Sequence, residues 1–357
     1  MTRLVVHAGT EFADAGAVQR HLVAWREPLQ AADVVLPIGD SQTEWREAAL
    51  GLVPGRDSTP AEALLTRARE TSASTILVSS DVLADVLISP EETAGFVAMA
   101  AGLDLDVRVV VVVREQIGYI NSLYCNRVRN LETARSFAAF ATDPTPAHRF
   151  DYVATFGAIA DTDGVDLVAI PYPELRSKQA GRAVLEAAGV SGDVIDGLPP
   201  VADQAEPTPG PVLIAATRLL HKRLRKLGRV SERGRPLLRT LSEGLAARAT
   251  EQAWDSQTFW GWDTALRRSV ELELAESNEM FADFVWGTPW PEPLSVARPR
   301  RHDLADLEPP VLHDVFATVE RLVGNLRRTS PPTESEDQEE SEGSEGVRGP
   351  VDPPDFA

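Results

Sequence analysis

Cysteine is almost missing from this chain: Cys125 stands alone in 357 residues. A lone thiol excludes an internal disulfide framework and fits a reducing compartment, so a cytoplasmic location is expected. Long apolar runs are missing too. Val109 to Val113 is far too short to span a bilayer and lies between Arg108 and Arg114, so it reads as a buried strand, and no membrane span is expected. The apolar N-terminal run, Leu4-Val5-Val6, is too brief for a secretory signal. Positive charge is in deficit, with a formal net charge of −19, which argues against a nucleic-acid partner, whose binding surface would be basic. The six histidines are scattered with no His or Cys pair at ligand spacing, so no metal site is expected. Neither G-x-S-x-G nor, after the first strand, G-x-G-x-x-G occurs.

Part of the negative charge is local. Residues 331–357 hold nine carboxylates against Arg348 alone, which leaves about −11 for the rest. Rich in Pro, Ser, Gly and Glu, this stretch has little to bury and is expected to be a disordered acidic tail.

What is present is an alternation of apolar strands and amphipathic helices. The first strand runs through Val5, Val6 and His7. A small-residue loop from Gly9 to Gly16 follows, then a helix through Leu22, Val23 and Trp25. Loop N–H groups and a helix N-terminus converging at a strand end make a place for a phosphate-bearing ligand. Further strands are expected at 33–37, 75–81, 107–113 and 165–172. Helices are expected at 43–52, 60–70, from Val82, and at 90–102, 132–141, 150–160 and 177–188. The helix at 90–102 is expected to turn Phe96, Val97, Ala100 and Ala101 inward. Strands alternating with helices imply a doubly wound parallel sheet. Residues 191–211 read as a linker or surface excursion. Helices alone follow, the first over 212–228, with Arg218, Lys222, Arg225 and Arg229 spaced as a basic stripe. That stripe is a solvated face or a docking site for a polyanionic partner or for the chain's own tail.

Three stretches resemble a family of bacterial sulfotransferase-like proteins. Their nucleotide loop reads H-x-G-x-x-K-T-G-T-T-x-x-Q, and His7, Gly9 and Gln19 stand at matching positions. Phe12 replaces the family's lysine, and Ala13-Asp14-Ala15-Gly16 replaces Thr-Gly-Thr-Thr. After the strand ending at Val113, Arg114 and Ser122 match the pair that holds the cofactor's 3′-phosphate, and Gln116 and Tyr124 complete an R-x-Q…S-x-Y pattern. Glu276 to Phe281 resembles a late Ser-Asn-Glu helix. The resemblance implies a P-loop-type α/β fold over 1–328, a helical C-terminal layer over 212–328 and the tail over 329–357. It also implies 3′-phosphoadenosine 5′-phosphosulfate as co-substrate, giving its sulfuryl group to a hydroxyl of a carbohydrate or small metabolite.

In that reading Gly9, Thr10, Gly16, Arg114 and Ser122 bind the nucleotide, and Asp81 or His7 is the base. Two other readings stay open for those last residues: His7 as a buried side chain holding the loop, and Ser79, Ser80 or Asp81 as the cap of the helix from Val82. The loop lysine neutralises charge on the leaving group, which Phe12 cannot do. Arg3, Arg20 or one of the later arginines would have to reach in, or the protein is a catalytically inactive binding or accessory module. A protein partner acting through the tail or the basic helix is a third reading. Five tryptophans, Trp254, Trp260, Trp262, Trp286 and Trp290, are expected to close a helical layer over the sheet, a sugar platform being the alternative.

Overall fold

A computed structural model of the chain describes residues 2–9, 15–143, 150–177, 179–202, 209–230, 234–254, 257–290 and 307–329. Five strands, β1 (Thr2–His7), β2 (Val34–Val35), β3 (Thr75–Ser79), β4 (Leu105–Val113) and β5 (Val165–Pro171), form one sheet in the order β2-β3-β1-β4-β5. Every pairing is parallel. The sequence dictates why both faces are covered. Leu4 and Val6 of β1 and Val107, Val109, Val111 and Val113 of β4 face one apolar layer, while Val5, Val110 and Val112 face the other. Successive side chains on a strand point to opposite faces, so an unbroken valine run needs a helix layer on each side.

The helices oblige. Between β1 and β2 come α1 (Ala15–Ala24) and α2 (Arg26–Ala31); after β5 come α10 and α11, Tyr172–Ser177 and Ala180–Ala188. Val18 and Leu22 of α1, Trp25 between the two helices and Leu29 of α2 pack with Ala183 and Val184 of α11 on the Val5 face. On the Leu4 face lie α4 (Thr59–Glu70), α6 (Pro90–Gly102) and α9 (Tyr152–Ala160), with α3 (Gln42–Leu50) and α5 (Val82–Val86) near the β3 end. Past β4, α7 (Gln116–Arg129) and α8 (Phe137–Ala141) leave the sheet and enter the helical region. That region is completed by α13 (Pro211–Lys226), α14 (Arg235–Glu251), α15 (Thr264–Trp286) and α16 (Pro309–Thr329), after a short α12 (Gly192–Asp196). The expected α/β architecture with a helical C-terminal part is therefore the one formed. Among the described residues, no helix is long and apolar enough to cross a membrane. The expected tail at 329–357 lies, past Thr329, outside the described residues.

Local expectations fail where tertiary contacts decide. The helix expected at 132–141 begins only at Phe137, because Ser136 caps it by accepting from the Ala139 N–H at 3.2 Å and Leu131 turns the chain with a φ of 57°. The helix expected at 177–188 starts at Ala180, after Gln179 takes a φ of 65°; it ends as expected at Gly189, in the left-handed conformation. The expected linker at 191–211 is docked over its first part. Ile195 and Leu198 are buried, the Trp25 indole N–H donates to the Pro199 carbonyl at 2.8 Å, and Arg182 donates to the carbonyls of Ile195 and Leu198. On α6, Phe96 and Ala100 point inward, but Ala101 is exposed and Thr93 takes a buried place. The strand expected at 33–37 pairs only at Val34 and Val35.

Candidate functional site

β1 sits between β3 and β4, and the chain leaves the two neighbours β1 and β4 in opposite directions, toward β2 and toward β5. This is a topological switch point, where an open parallel sheet leaves a crevice at the carboxyl ends of its strands. His7 is in register with Val110, the Ala8 N–H donates to the Val110 carbonyl at 2.9 Å, and β4 continues to Val113. The Ala8-Gly9 segment and Arg114 therefore leave the same edge of the sheet on adjacent strands.

His7 is fully buried. Its Nδ1 lies 2.8 Å from the Ser79 hydroxyl at the end of β3, and its Nε2 has no hydrogen-bond partner. Burial lowers its pKa to about 4, so the ring is neutral. Above it the loop comes close. A Cβ on Gly9 would lie 3.3 Å from the Ala15 Cβ and 3.4 Å from the His7 Cε1, so the backbone closes over the imidazole because position 9 has no side chain. Two more contacts fasten the place. The Gln19 amide of α1 donates to the Ser79 carbonyl at 2.7 Å, and the Ser80 N–H donates to the His7 carbonyl at 2.9 Å. The sealed ring is bonded to the end of β3 and lies against Gly9.

The first turn of α1 gathers polar groups from outside the motif. A Cβ on Gly16 would lie 2.8 Å from the Gln42 amide nitrogen and 3.5 Å from the Arg20 Nη1. Arg20 thus folds back along its own helix toward the N-terminus, and the first residue of α3 meets it there. Arg3, the other candidate cation, pairs with Asp106 at 2.8 Å in the amino-terminal half of β1, away from the crevice. Thr10, Phe12, Ala13 and Asp14 lie outside the described residues.

Asp81 follows the end of β3 and is exposed. It occupies the position before α5 with no capping hydrogen bond from its side chain. Ser79 is engaged by His7, and the Ser80 hydroxyl is buried without a partner, so none of the three caps that helix by a side-chain bond.

Arg114 is held at both ends. Its main-chain N–H donates to the Tyr152 hydroxyl at 3.1 Å, which donates back to the Arg114 carbonyl at 2.5 Å. Its guanidinium stacks over Tyr172, 4.6 Å from the ring centroid. A Cβ on Gly118 would lie 3.3 Å from the Arg114 Nη2, so the cation lies against the first turn of α7. Gly118 and Ser122 are four residues apart on one helix and share a face, which sets the half-buried Ser122 one turn beyond the guanidinium. Glu115 caps the same helix, accepting from the Gly118 N–H at 2.8 Å; burial raises its pKa, against the pull of that N–H and of Arg114.

The other motif residues are structural. The Gln116 amide is buried, donates to the Phe150 carbonyl at 3.1 Å, and accepts from the Asn278 amide at 3.1 Å, so the late Ser-Asn-Glu helix is tied to the start of α7. Tyr124 is buried and donates to the Arg135 carbonyl at 3.0 Å. Of the tryptophans, Trp262 donates to the Ile117 carbonyl and Trp286 to the Ala169 carbonyl, each at 2.9 Å, and Trp290 stacks on Tyr152. They close the helical layer. Gln42, Tyr152 and Tyr172 escaped the sequence reading, because their places depend on contacts between distant elements. The chain matches no protein-family model, no curated protein and no solved structure.

Proposed function

We propose that this chain is a sulfotransferase-like protein of P-loop-type fold that binds 3′-phosphoadenosine 5′-phosphosulfate across the β1–β4 switch point. The observation that carries the reading is the Arg114 guanidinium laid on the Gly118–Ser122 face of α7, at the edge where the β1 loop also emerges. A planar cation beside a hydroxyl and a helix N-terminus suits a 3′-phosphate. The 5′ side falls to the segment from Gly9 and Thr10 to Gly16, at the start of α1, with Arg20 as the nearby cation in place of the lysine that Phe12 replaces. Asp81, exposed at the neighbouring strand end, is the group available to accept a proton from an acceptor hydroxyl, carbohydrate or small metabolite.

The burial of His7 favours a second reading: a binding or accessory module without turnover. With the imidazole sealed and Phe12 in the lysine's place, chemistry at the site would rest on Asp81 and Arg20 among the described residues. Charge stabilisation by one placed donor is worth about 3 kcal/mol, or roughly a hundredfold in rate.

Calorimetric titration with 3′-phosphoadenosine 5′-phosphate tests the shared premise. The wild-type chain is expected to bind with Kd on the order of micromolar, and Arg114→Ala to bind about 10- to 100-fold more weakly, the loss of one charge-assisted contact. Absence of heat at roughly millimolar ligand overturns both readings. Sulfuryl transfer that falls about a hundredfold in Arg20→Ala supports the enzyme; binding without transfer supports the module.

A further inference from the structure

The helix N-terminus offered to the 3′-phosphate already has an anion on it. Glu115 stands just before α7, and its Oε2 accepts from the Gly118 N–H at 2.8 Å. Position 118 makes room for that carboxylate. A Cβ there would collide with the Glu115 Oε1, so a residue without a side chain is what lets the carboxyl group lie on the first turn. The same point is 3.3 Å from the Arg114 Nη2. Carboxylate and guanidinium thus border one small space, with the Ser122 position one turn further along the face.

A carboxylate in this place does what a bound phosphate would do: it takes an orphan N–H of the helix and sits at the positive end of its dipole. The two anions compete. Glu115 is half-buried, and at such short range a like charge weakens the binding of an incoming phosphate by about 10- to 100-fold. Burial, the largest influence, raises the Glu115 pKa, while the N–H groups of Gly118 and Ile117 and the cations Arg114 and Arg267 lower it. Arg267 comes from α15, where it pairs with Glu271 at 2.6 Å. From α9 comes Tyr152, whose own pKa is raised by burial first and by Tyr119 and Glu115 besides, so its phenol stays neutral. A protonated Glu115 keeps one oxygen for the Gly118 N–H and has an O–H to donate to a phosphate oxygen.

We propose that Glu115 sets the selectivity of the nucleotide site at its 3′ position: ionised, it holds the α7 N-terminus against a phosphate dianion, and protonated, it admits one. The inference rests on the nucleotide reading and adds that affinity for the 3′-phosphate is limited from within the chain. At neutral and alkaline pH the site therefore discriminates less in favour of a 3′-phosphorylated nucleotide than Arg114 and Ser122 alone would.

Calorimetry with 3′-phosphoadenosine 5′-phosphate and with adenosine 5′-phosphate, which lacks the 3′ group, tests it. Glu115→Gln removes the charge and keeps a carbonyl oxygen for the Gly118 N–H, so circular dichroism and the thermal midpoint should stay near those of the wild type. At about pH 8 the variant should bind the 3′-phosphorylated nucleotide about 10- to 100-fold more tightly than the wild type does, and adenosine 5′-phosphate within about threefold. By about pH 5.5 the gain should shrink toward one, because the wild-type carboxyl is then protonated in the complex, while the nucleotide's own phosphates titrate alike in both proteins. A merely structural cap gives the opposite result, since its loss loosens α7 and weakens both ligands. Wild-type binding that Arg114→Ala weakens but Glu115→Gln fails to strengthen overturns the selectivity role and leaves the nucleotide reading standing. A gain shared equally by both nucleotides, or one indifferent to pH, overturns it as well. No heat from either protein with either nucleotide overturns the nucleotide reading, and this inference with it.

Discussion

At the scale of single residues, His7 decides more than any other side chain at the strand ends. It joins β1 to β3 through Ser79, lies under Gly9, and is held neutral by burial. Its folded-state pKa of about 4 is below the ordinary 6.5, so between those values the unfolded chain binds a proton that the folded chain refuses. Stability from this source is complete above pH 6.5 and is lost as pH falls toward 4. Relative to His7→Asn, which cannot titrate, the wild-type chain should lose about 2 kcal/mol between pH 7 and pH 5, since each tenfold difference in proton affinity between the folded and unfolded chain is worth about 1.4 kcal/mol. Urea denaturation of both proteins at the two pH values measures this. Equal slopes for variant and wild type would show that the ring is not sealed. Because carboxylates and the other histidines titrate in both proteins, the difference isolates His7.

Elements follow the sequence where their cause is local and depart from it where the cause is distant. The start of α6 at Pro90 is legible because Ser89 accepts from the Glu92 N–H, and its neighbour in type, Gly189 after α11, is legible because a left-handed residue must follow that helix. The strands are legible because apolar β-branched runs have nowhere to go but a covered sheet. The docking of 191–202 is not, since it depends on Arg182, Trp25 and the carbonyls they reach across a fold that no window of sequence contains. The same reason hid Gln42 beside Gly16 and Tyr172 beneath Arg114. The dependence is testable. Arg182→Ala removes donors to two carbonyls and a cation over the Trp25 ring, a loss of about 1.5–3 kcal/mol for bonds from a charged group. Hydrogen exchange of the amides over 192–198 should quicken by about 10- to 100-fold while β4 stays protected. Unchanged exchange over α12 would show that Ile195 and Leu198 hold the segment alone.

For the whole molecule the question is whether sheet and helical layer unfold together. A chain of this length is near the size at which one core commonly divides into two, so two transitions are the natural competing expectation. The packing argues otherwise, because α7 serves both parts. It begins at the β4 end, and ten of its residues are buried, mostly against α8, α13, α15 and the 259–262 segment. Helix α15 crosses back. Its Val270 lies in that same cluster, its Asn278 bonds Gln116 of α7, its Phe281 lies in the sheet core with Tyr152 and Phe156, and its Trp286 donates to β5. Neither part keeps its apolar surface covered if the other opens. Scanning calorimetry should therefore show one transition, with a calorimetric enthalpy matching the van't Hoff enthalpy. Asn278→Leu, which leaves the buried Gln116 amide without its α15 partner, should lower the midpoint of that single transition rather than split it. Two resolved transitions in the wild-type chain would mean that α7 and α15 join units that fold independently.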